Sequence, residues 1–222
     1  DVNGDGTPDI ITAPGPGREP TVKVYSGADL SLIASFNAYA ATFTDGVFVA
    51  AADFNADGRA DIVTAPIANG YALVKVFSGA DLTGATVLFQ FSPYATTMTK
   101  GVRIAVGDVN ADGTPDIIAA RGKDVQPYVR VFDGTDRSQI YEFLAFDSTF
   151  MGGVFVAAGD VTGDSQADII AGAGPGGGPA VRVFDGSTGL QTGNTLFVYD
   201  VTFSGGVRVA AVDIDGDDRA DI

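Results

Sequence analysis

Aspartates recur in this sequence in a nine-residue pattern, Asp-x-Asn/Asp-x-Asp-Gly-x-x-Asp, whose oxygens could hold a hard cation. The pattern begins at residues 1, 53, 108, 160 and 213. Calcium takes about six to eight oxygen ligands from carboxylates, amide and backbone carbonyls and water, so alternate side chains of such a loop must converge on one point. Glycine at the sixth position permits the sharp bend that this convergence needs. Each copy is therefore predicted to be a calcium loop.

The predicted ligands stand at positions one, three, five, seven and nine of each loop, and the seventh residue contributes its backbone carbonyl. In chain order they are Asp1, Asn3, Asp5, Thr7, Asp9, Asp53, Asn55, Asp57, Arg59, Asp61, Asp108, Asn110, Asp112, Thr114, Asp116, Asp160, Thr162, Asp164, Gln166, Asp168, Asp213, Asp215, Asp217, Arg219 and Asp221. We number the loops 1 to 5 along the chain and expect them to bind up to five Ca²⁺ ions.

Loops 4 and 5 depart from the pattern. Loop 4 has Thr162 at the third position and Ser165 at the sixth, so it offers a weaker oxygen and a stiffer bend. We expect loop 4 to bind calcium more weakly than the complete loops. Loop 5 is rich in carboxylates but has Asp218 at the sixth position, where a positive φ is tolerated less freely than by glycine.

Two other interpretations of the pattern are weaker. An EF-hand loop begins with similar residues, but it needs a bidentate glutamate at its twelfth position and flanking helices. Here the twelfth residue of the first four loops is Thr12, Thr64, Ala119 or Ala171. A single Asp-Gly cluster is most often a turn. Five copies in one register, each closing on a further acidic side chain, favour metal binding over five unrelated turns.

The composition agrees with a cation-binding protein. The chain has 26 Asp against 2 Glu, and 16 of the Asp lie at ligand positions, which a merely acidic surface would not require. Because each Ca²⁺ adds two positive charges, five ions would bring the formal net charge from -15 to -5. Relief of this self-repulsion predicts that stability depends on the metal. The acidity argues against nucleic-acid partners, and no apolar run is long enough for membrane insertion.

Residues suited to catalysis are few. The chain has no His and no Cys, which excludes Ser-His-Asp triads, metal-histidine centres and thiol nucleophiles. The acids outside the loops, of which Asp45, Asp124 and Asp136 are the clearest, are scattered over predicted turns. The sequence alone therefore favours a protein without enzymatic activity.

The loops recur at steps of 52 to 55 residues, the size of a supersecondary unit that stacks beside its copies. Each repeat contains four predicted strands. The first leads into the loop, the second leaves it as Asp-Ile-Ile or Asp-Ile-Val, the third alternates, and the fourth is more aromatic. The first strands are predicted at residues 47–52, 102–106, 154–158 and 207–212, and the fourth at 32–39, 87–94, 140–146 and 196–199. The predicted fold is all-β, a β-propeller of four-stranded antiparallel blades of about 53 residues, with four repeats and a partial fifth.

These residues resemble the FG-GAP or VCBS-type repeats of integrin-α-like β-propellers. The family pattern is a Gly-led hydrophobic strand, the Asp loop, an Ile/Val pair and then Gly-Ala-Pro or a similar turn, and residues 46–66 and 153–175 fit it. The resemblance spans nearly the whole chain. It implies a calcium ion in each blade loop, on one face of the propeller, and an extracellular or cell-surface setting. Closed propellers of the family usually have about seven blades, more than the four periods present here.

We therefore expect residues 1–222 to be one repeat array, a segment of a longer chain, that associates with itself through exposed strand edges. The favoured function is a calcium-binding, non-enzymatic, secreted module for adhesion, interaction or structural spacing, with a protein or glycan ligand. Two alternatives remain, a glycan-binding propeller and the propeller part of a polysaccharide-active enzyme. A contact surface is expected on the variable turns at residues 18–19, 67–71 and 123–128.

Cations also recur at fixed positions of the repeats. Lys23, Lys75, Arg130 and Arg182 occupy one position of the third strand, where alternation predicts a solvated face. Arg103 and Arg208 occupy one position of the first strand, where they could pair with aspartate or bind an anion, and structural pairing is the favoured interpretation.

Overall fold

The computed structural model describes residues 1–69 and 72–222, and in this part of the chain all regular structure is β. The strands are β1 Ile10–Thr12, β2 Thr21–Tyr25, β3 Leu32–Asn37, β4 Val47–Ala52, β5 Asp61–Pro66, β6 Val74–Phe77, β7 Val87–Phe91, β8 Val102–Gly107, β9 Asp116–Arg121, β10 Tyr128–Phe132, β11 Gln139–Leu144, β12 Val154–Gly159, β13 Asp168–Ala173, β14 Ala180–Phe184 and β15 Gln191–Phe197. None of the described residues forms a helix that is long and apolar enough to cross a membrane.

The strands form four antiparallel sheets in which neighbours along the chain are hydrogen-bonded neighbours. The sheets are β1-β2-β3, β4-β5-β6-β7, β8-β9-β10-β11 and β12-β13-β14-β15. By its contacts the chain divides into two compact units, residues 1–102 and 103–222, so the first two sheets lie in one unit and the last two in the other, apart from Val102 at the start of β8. The predicted four-stranded repeat is confirmed for three of the sheets.

The second strand of each complete sheet is its most buried. All six residues of β5 and β13 are buried, as are the first five of β9. These strands are nearly continuous apolar runs because both faces of a central strand are covered by protein. In the second unit Ile118 of β9 and Ile169 of β13 share one apolar cluster. In the first unit Val22, Val24 and Ile62 form the core with neighbouring alanines and Phe77.

The Asp loops are the turns between the first and second strands. In the hairpin of β4 and β5, Ala52 pairs with Asp61, so the pairing reaches both ends of loop 2. In the hairpin of β12 and β13, Gly159 and Asp168 pair in the same way at the ends of loop 4. The sheet register therefore fixes the ends of each loop.

Two sequence-based strand predictions are corrected by the model. The segment 207–212 is not a strand, and its one pairing is an isolated bridge between Val212 and Asp221. In the other repeats the partner strand begins at or just after the ninth residue of the loop, whereas here only Ile222 follows Asp221, the ninth residue of loop 5. Two fourth strands also end before the predicted residue, since β3 stops at Asn37 and β7 at Phe91. The aromatic residues beyond these ends lie outside the strands.

Some third-strand cations connect neighbouring repeats, so the prediction of a solvated face is wrong for Lys75 and Arg182. Lys75 Nζ donates to the carbonyl of Ala38 at 3.0 Å and lies 5.0 Å from the centre of the Tyr39 ring. Arg182 Nη1 donates to the carbonyl of Ala145 at 3.0 Å. Both cations thus reach the end of the preceding repeat. Alternation places them on the correct face of the strand, but the preceding repeat covers that face.

The other two third-strand cations are Lys23 and Arg130. Lys23 is exposed, as predicted. Arg130 Nε donates to Glu142 Oε2 at 2.8 Å, within its own sheet.

Neighbouring repeats also approach closely at the ends of their first strands. A Cβ added at Gly107 would lie 2.7 Å from Cβ of Ala167, and one added at Gly159 would lie 2.7 Å from Cβ of Ala220. Separations this short are not tolerated between carbon atoms, so glycine at these two positions brings each loop against the next one.

Candidate metal centre

The first aspartate of each loop organises its backbone. Asp1 Oδ1 accepts hydrogen bonds from the N–H of Gly4 at 2.6 Å and of Asp5 at 3.1 Å, while its Oδ2 accepts from Gly6 N–H at 2.7 Å. The first aspartates of the other loops accept from their own fifth or sixth N–H groups in the same manner. The loop backbone therefore wraps around a carboxylate, as a cation loop requires.

The third and fifth side chains lie on the inner side of the same wrap. In loop 1, Asn3 Oδ1 accepts from Asp5 N–H at 2.9 Å and Asn3 Nδ2 donates to Asp5 Oδ2 at 2.9 Å. Asp5 Oδ1 accepts from Thr7 N–H at 2.8 Å. The hydrogen bond from Asn3, followed by the one from Thr7, holds the pKa of Asp5 below its usual value, so this carboxylate stays charged.

The ninth aspartate ties the loop to the rest of the sheet. Asp61 is fully buried, its Oδ2 accepts from Phe54 N–H at 2.9 Å, and its Oδ1 accepts from Gly79 N–H at 2.8 Å. The same two bonds recur in the three other complete repeats, with Asp9, Asp116 and Asp168 as acceptors. The ninth aspartate is thus a structural brace between the loop and the turn after the third strand.

Sequence analysis missed the glycines that donate to this brace. They lie eighteen residues after the ninth aspartate in four repeats, at Gly27, Gly79, Gly134 and Gly186. A Cβ added at Gly79 would lie 2.3 Å from the carbonyl oxygen of Ala60, so no larger residue fits. Their constant spacing is visible in the sequence and is the signal that could have found them.

Burial makes two of the ninth aspartates, Asp61 and Asp116, costly to ionise without a cation. Burial raises the pKa of Asp61, against the lowering effect of the backbone donors of Gly79 and Phe54. Burial raises the pKa of Asp116 to about 6, and the charges of Asp112 and Asp108 add to the effect. A divalent cation beside these carboxylates would favour the charged form.

Two observations, one in loop 5 and one in loop 4, are compatible with a bound hard cation. Carboxylate oxygens of Asp213, Asp215 and Asp221 in loop 5 lie within 4.8 Å of one another. Two oxygens on one ion at about 2.4 Å each are at most about 4.8 Å apart, so these three could share an ion. In loop 4, Thr162 Oγ1 is buried and has no hydrogen-bond partner in the described part of the chain. A cation would satisfy this oxygen.

The loops require a positive φ at two positions, and sequence analysis recognised only the sixth. At the sixth position Gly6, Gly58 and Gly113 have φ of 83 to 87°, while Ser165 and Asp218 adopt 69° and 66°. The fourth position is also left-handed in every loop, and there Ala56 and Ala111 adopt φ of 56° and 57°. Alanine has no side-chain means of offsetting this conformation, so these two residues carry backbone strain.

Successive loops are joined directly within each unit. The N–H at the eighth position of one loop donates to the carbonyl at the first position of the preceding loop. The three bonds run from Ala60 to Asp1 at 2.8 Å, from Ala167 to Asp108 at 2.8 Å and from Ala220 to Asp160 at 2.6 Å. At two of these junctions the arginine at the seventh position lies against the preceding loop. A Cβ on Gly4 would meet Arg59 Nε at 3.3 Å, and one on Gly163 would meet Arg219 Nε at 2.6 Å.

The acids outside the loops do not gather into a catalytic pair in the contacts described. Asp45 Oδ1 accepts from Asn69 Nδ2 at 3.0 Å, and Asp136 Oδ1 accepts from Ser138 N–H at 2.7 Å. Asp124 and Lys123 lie at the mouth of a cavity of about 560 Å³ in the second unit. Two of the variable turns chosen from the sequence lie beside cavities, since residues 18–19 also line one, whereas Gly70 and Tyr71 of the turn at 67–71 lie outside the described residues.

Three solved structures share the fold, and all are rhamnogalacturonan lyases. YesW matches with a TM-score of 0.55 and 16% identity over 87% of this chain and 41% of its own. The exotype lyase YesX matches with a TM-score of 0.56 and 17% identity over 86% of this chain and 39% of its own. The Bacillus licheniformis lyase PL11 matches with a TM-score of 0.51 and 16% identity over 89% of this chain and 50% of its own. The chain thus spans half or less of the length of these lyases.

This comparison contradicts the sequence-based prediction of a non-enzymatic protein. The similar structures described above are rhamnogalacturonan lyases, so the chain shares its fold with enzymes that act on a polysaccharide. The absence of His and Cys was a weak argument against enzymatic activity, because it excludes only the kinds of catalysis that need those residues. At this identity the likeness shows the β-propeller-like fold, and the number of blades in a ring does not follow from the four sheets.

A family model described as an FG-GAP-like repeat matches residues 1–64, which contain loops 1 and 2, the strands β1 to β4 and the start of β5. The later repeats have the same order of first strand, Asp loop and buried second strand. The resemblance predicted from the sequence is therefore confirmed, and the chain carries the FG-GAP-like repeat of FG-GAP or VCBS-type proteins.

Proposed function

We propose that this chain is the calcium-binding, β-propeller-like region of a protein that acts on an acidic polysaccharide. The observation that supports the calcium part is the shared wrap of the five loops, in which the first aspartate accepts the N–H at the sixth position in each, together with the three carboxylates of loop 5 that lie within 4.8 Å of one another. In loop 2 the ion would be held by Asp53, Asn55 and Asp57, with the carbonyl of Arg59 and the carboxylate of Asp61. When bound, Ca²⁺ supplies fixed positive charge that neutralises these carboxylates.

The protein's own residues place the loops for this role. The brace from Asp61 to Phe54 and Gly79 fixes the loop end before any cation arrives. The hydrogen bond from Ala60 N–H of loop 2 to the Asp1 carbonyl of loop 1 holds these two loops side by side. A pre-ordered loop loses less conformational freedom on binding, which favours affinity. We place the protein outside the cell, where calcium-binding modules work with dissociation constants of about 10⁻⁴ to 10⁻³ M.

The polysaccharide part is supported by the lyase fold of the similar structures. The cavity of about 560 Å³ beside the turn at 123–128 offers a place for a sugar. Its wall includes the cation Lys123 and the ring of Phe150, and both suit an acidic carbohydrate. A pure glycan-binding propeller is the second candidate, and the same cavity would serve it.

Calorimetric titration with CaCl₂ and thermal melts with and without chelator test the calcium part. We expect several equivalents of bound Ca²⁺ and a large fall in melting temperature in chelator. A ligand that binds only the folded state stabilises it by about 2.7 kcal/mol per site at a hundredfold excess over the dissociation constant. The control is Mg²⁺, which needs a tighter octahedral site. Equal melts in calcium and in chelator would refute calcium binding.

Affinity electrophoresis in gels containing rhamnogalacturonan, or neutral galactan as the control, tests the polysaccharide part. We expect retardation by the acidic polymer only. The same mixtures are then assayed for new unsaturated ends, which separates a lyase from a binding protein. Equal mobility in both gels together with no new ends would exclude both candidates.

A further inference from the structure

Two arginines of the second unit share one aromatic ring. Arg103 of β8 has its guanidinium carbon 4.0 Å from the centre of the Phe155 ring of β12. Arg208, in the segment 207–212, has its guanidinium carbon 5.2 Å from the centre of the same ring. The two guanidinium groups are therefore separated by less than the sum of these distances. Cations within about 6 Å of a ring centre are attracted to its face, so Phe155 holds both groups in place.

The Arg103 side chain is largely withdrawn from water without being satisfied by protein groups. Its Nη1 donates to the carbonyl of Val154 at 3.3 Å, and its Nε is buried with no partner among the described residues. Burial, and then the charge of Arg208, lower the pKa of Arg103 to about 10. Gly153 makes room for this side chain, since a Cβ there would lie 2.2 Å from Arg103 Nη1.

The predicted pairing of these arginines with aspartate is wrong. In the described residues neither Arg103 nor Arg208 forms an ion pair with a carboxylate. Two like charges on one ring repel each other, and a desolvated charge without a counter-ion is costly. A bound anion that accepts from these guanidinium groups would offset both costs. Arginine suits such a role because its planar fork of N–H donors matches the two oxygens of a carboxylate.

We propose that Arg103 and Arg208, positioned by Phe155, bind the carboxylate of an acidic sugar residue. The choice of a sugar acid rests on the proposed function, whereas the anion site itself rests on the two unpaired guanidinium groups. The cavity lined by Lys123 and Gly152 adjoins the site, because Gly153 touches both Arg103 and the backbone nitrogen of Lys123.

Binding of an oligogalacturonate to the whole chain, measured by calorimetry, tests the site. The comparison ligands are the same oligomer with its carboxylates reduced to alcohols, and inorganic sulfate. We expect Arg208→Gln to weaken oligogalacturonate binding about tenfold, the effect of losing a charged hydrogen bond. Arg137→Gln is the matched control, because Arg137 is an exposed arginine of the second unit whose Nη1 donates to the Thr135 carbonyl of its own turn, and it should bind like the unchanged protein.

Arg103→Lys is the second variant, since it keeps the charge and loses the planar fork. We expect it to weaken binding as well, with a melting temperature near that of the unchanged protein. Equal affinity of Arg208→Gln and the unchanged protein would overturn the proposal. Equal affinity for the reduced oligomer, or binding of sulfate without oligogalacturonate, would overturn it too.

Cleavage of rhamnogalacturonan by the same variants separates this proposal from the proposed function. Arg208-dependent binding without retardation or cleavage of rhamnogalacturonan would count against the proposed function and leave the anion site standing. Polysaccharide binding that Arg208→Gln does not change would count against the anion site alone.

Discussion

The predicted ligands within one loop have different structural tasks. The first aspartate accepts several loop N–H groups, whereas the ninth aspartate spans from the loop to the following turn. The fifth, as in Asp57, makes local bonds to the seventh N–H and the third side chain. Replacing the ninth aspartate would therefore disturb the fold itself. A change at the fifth position is the better probe of metal binding.

Asp57→Ala and Asp164→Ala compare a complete loop with the incomplete loop 4. Asp57 lies beside Asn55, which donates to it at 3.0 Å, whereas the equivalent neighbour of Asp164 is Thr162. We expect Asp57→Ala to lose more calcium affinity, because loop 2 has the fuller set of oxygens. Calorimetric titration of both variants measures this. The reverse order would show that the ranking of the loops is wrong.

Ala111→Gly tests backbone strain at the fourth position of loop 3. Alanine at φ of 57° is strained by about 1–2 kcal/mol, part of which glycine returns through its greater freedom in the unfolded chain. We expect a net gain of about 0.5–1 kcal/mol in the free energy of unfolding. Urea denaturation measures it.

Gly113→Ala is the matched control in the same loop. It places alanine at φ of 86° where a Cβ would meet nothing within 4 Å, so it should lose stability through the backbone alone. Stability changes of the same sign in both variants would rule out the strain.

The ligand positions could be read from the sequence because five copies align and each oxygen type is visible. The strain at Ala56 and Ala111 could not, since alanine at the fourth position gives no sign of a left-handed backbone. The shared contact with Phe155 was also missed. The sequence placed Arg103 and Arg208 at one position of the first strand, but it did not show that a single ring contacts both arginines.

At the level of strands, stability depends on contacts that pass from one repeat to the next. Tyr39 extends the contact made by Lys75, because its hydroxyl donates to the carbonyl of Leu73 at 2.7 Å in the next repeat. In the second unit Arg182 lies 5.1 Å from the ring of Phe146, at the same relative position. A cation, an aromatic ring and a carbonyl thus form one recurring contact.

Lys75→Met keeps the apolar stem and removes the hydrogen bond to Ala38 and the attraction to Tyr39. We expect a loss of about 1–2 kcal/mol in the free energy of unfolding, the combined effect of one charged hydrogen bond and one cation–π contact. Urea denaturation measures it. Lys23→Met is the control, since Lys23 occupies the same position of repeat 1 and is exposed. Equal losses in both variants would mean that the contact adds nothing.

The strand order of the repeat was predictable. The Asp loop marks the end of the first strand and the start of the second, and alternation marks the third. The sequence did not predict which part of the protein covers each face of a strand. A strand pattern shows which side chains share a face, but it does not show which neighbour covers that face. This is why Lys75 and Arg182 were incorrectly predicted to lie on a solvated face.

For the whole molecule, the dominant feature is a formal net charge of -15. Without calcium, this charge should destabilise the compact state through self-repulsion. We expect the melting temperature in chelator to rise with added NaCl, because salt screens these charges. In saturating calcium the same salt should have much less effect. Calorimetric melts over a range of NaCl concentrations measure this, and equal salt dependence in both conditions would argue against charge relief by the metal.

The likeness to lyases was not predictable from residue types, because a fold is shared by proteins whose sites differ. The repeat length and the strands indicated a propeller, whereas the polysaccharide-lyase character of the fold emerged only from comparison of structures. The two proposed roles, a framework stabilised by calcium and a sugar site on its loops, are compatible within one region.

The backbone bond between successive loops has a consequence for how calcium loads. Because Ala60 N–H is bonded to the Asp1 carbonyl, an ion that orders loop 1 also restricts loop 2. Loops 3, 4 and 5 are connected in the same way through Ala167 and Ala220. Pro115 occupies the corresponding place in loop 3 and has no N–H to donate. Calcium should therefore load cooperatively in two separate groups, giving a titration with two steep phases instead of five independent steps.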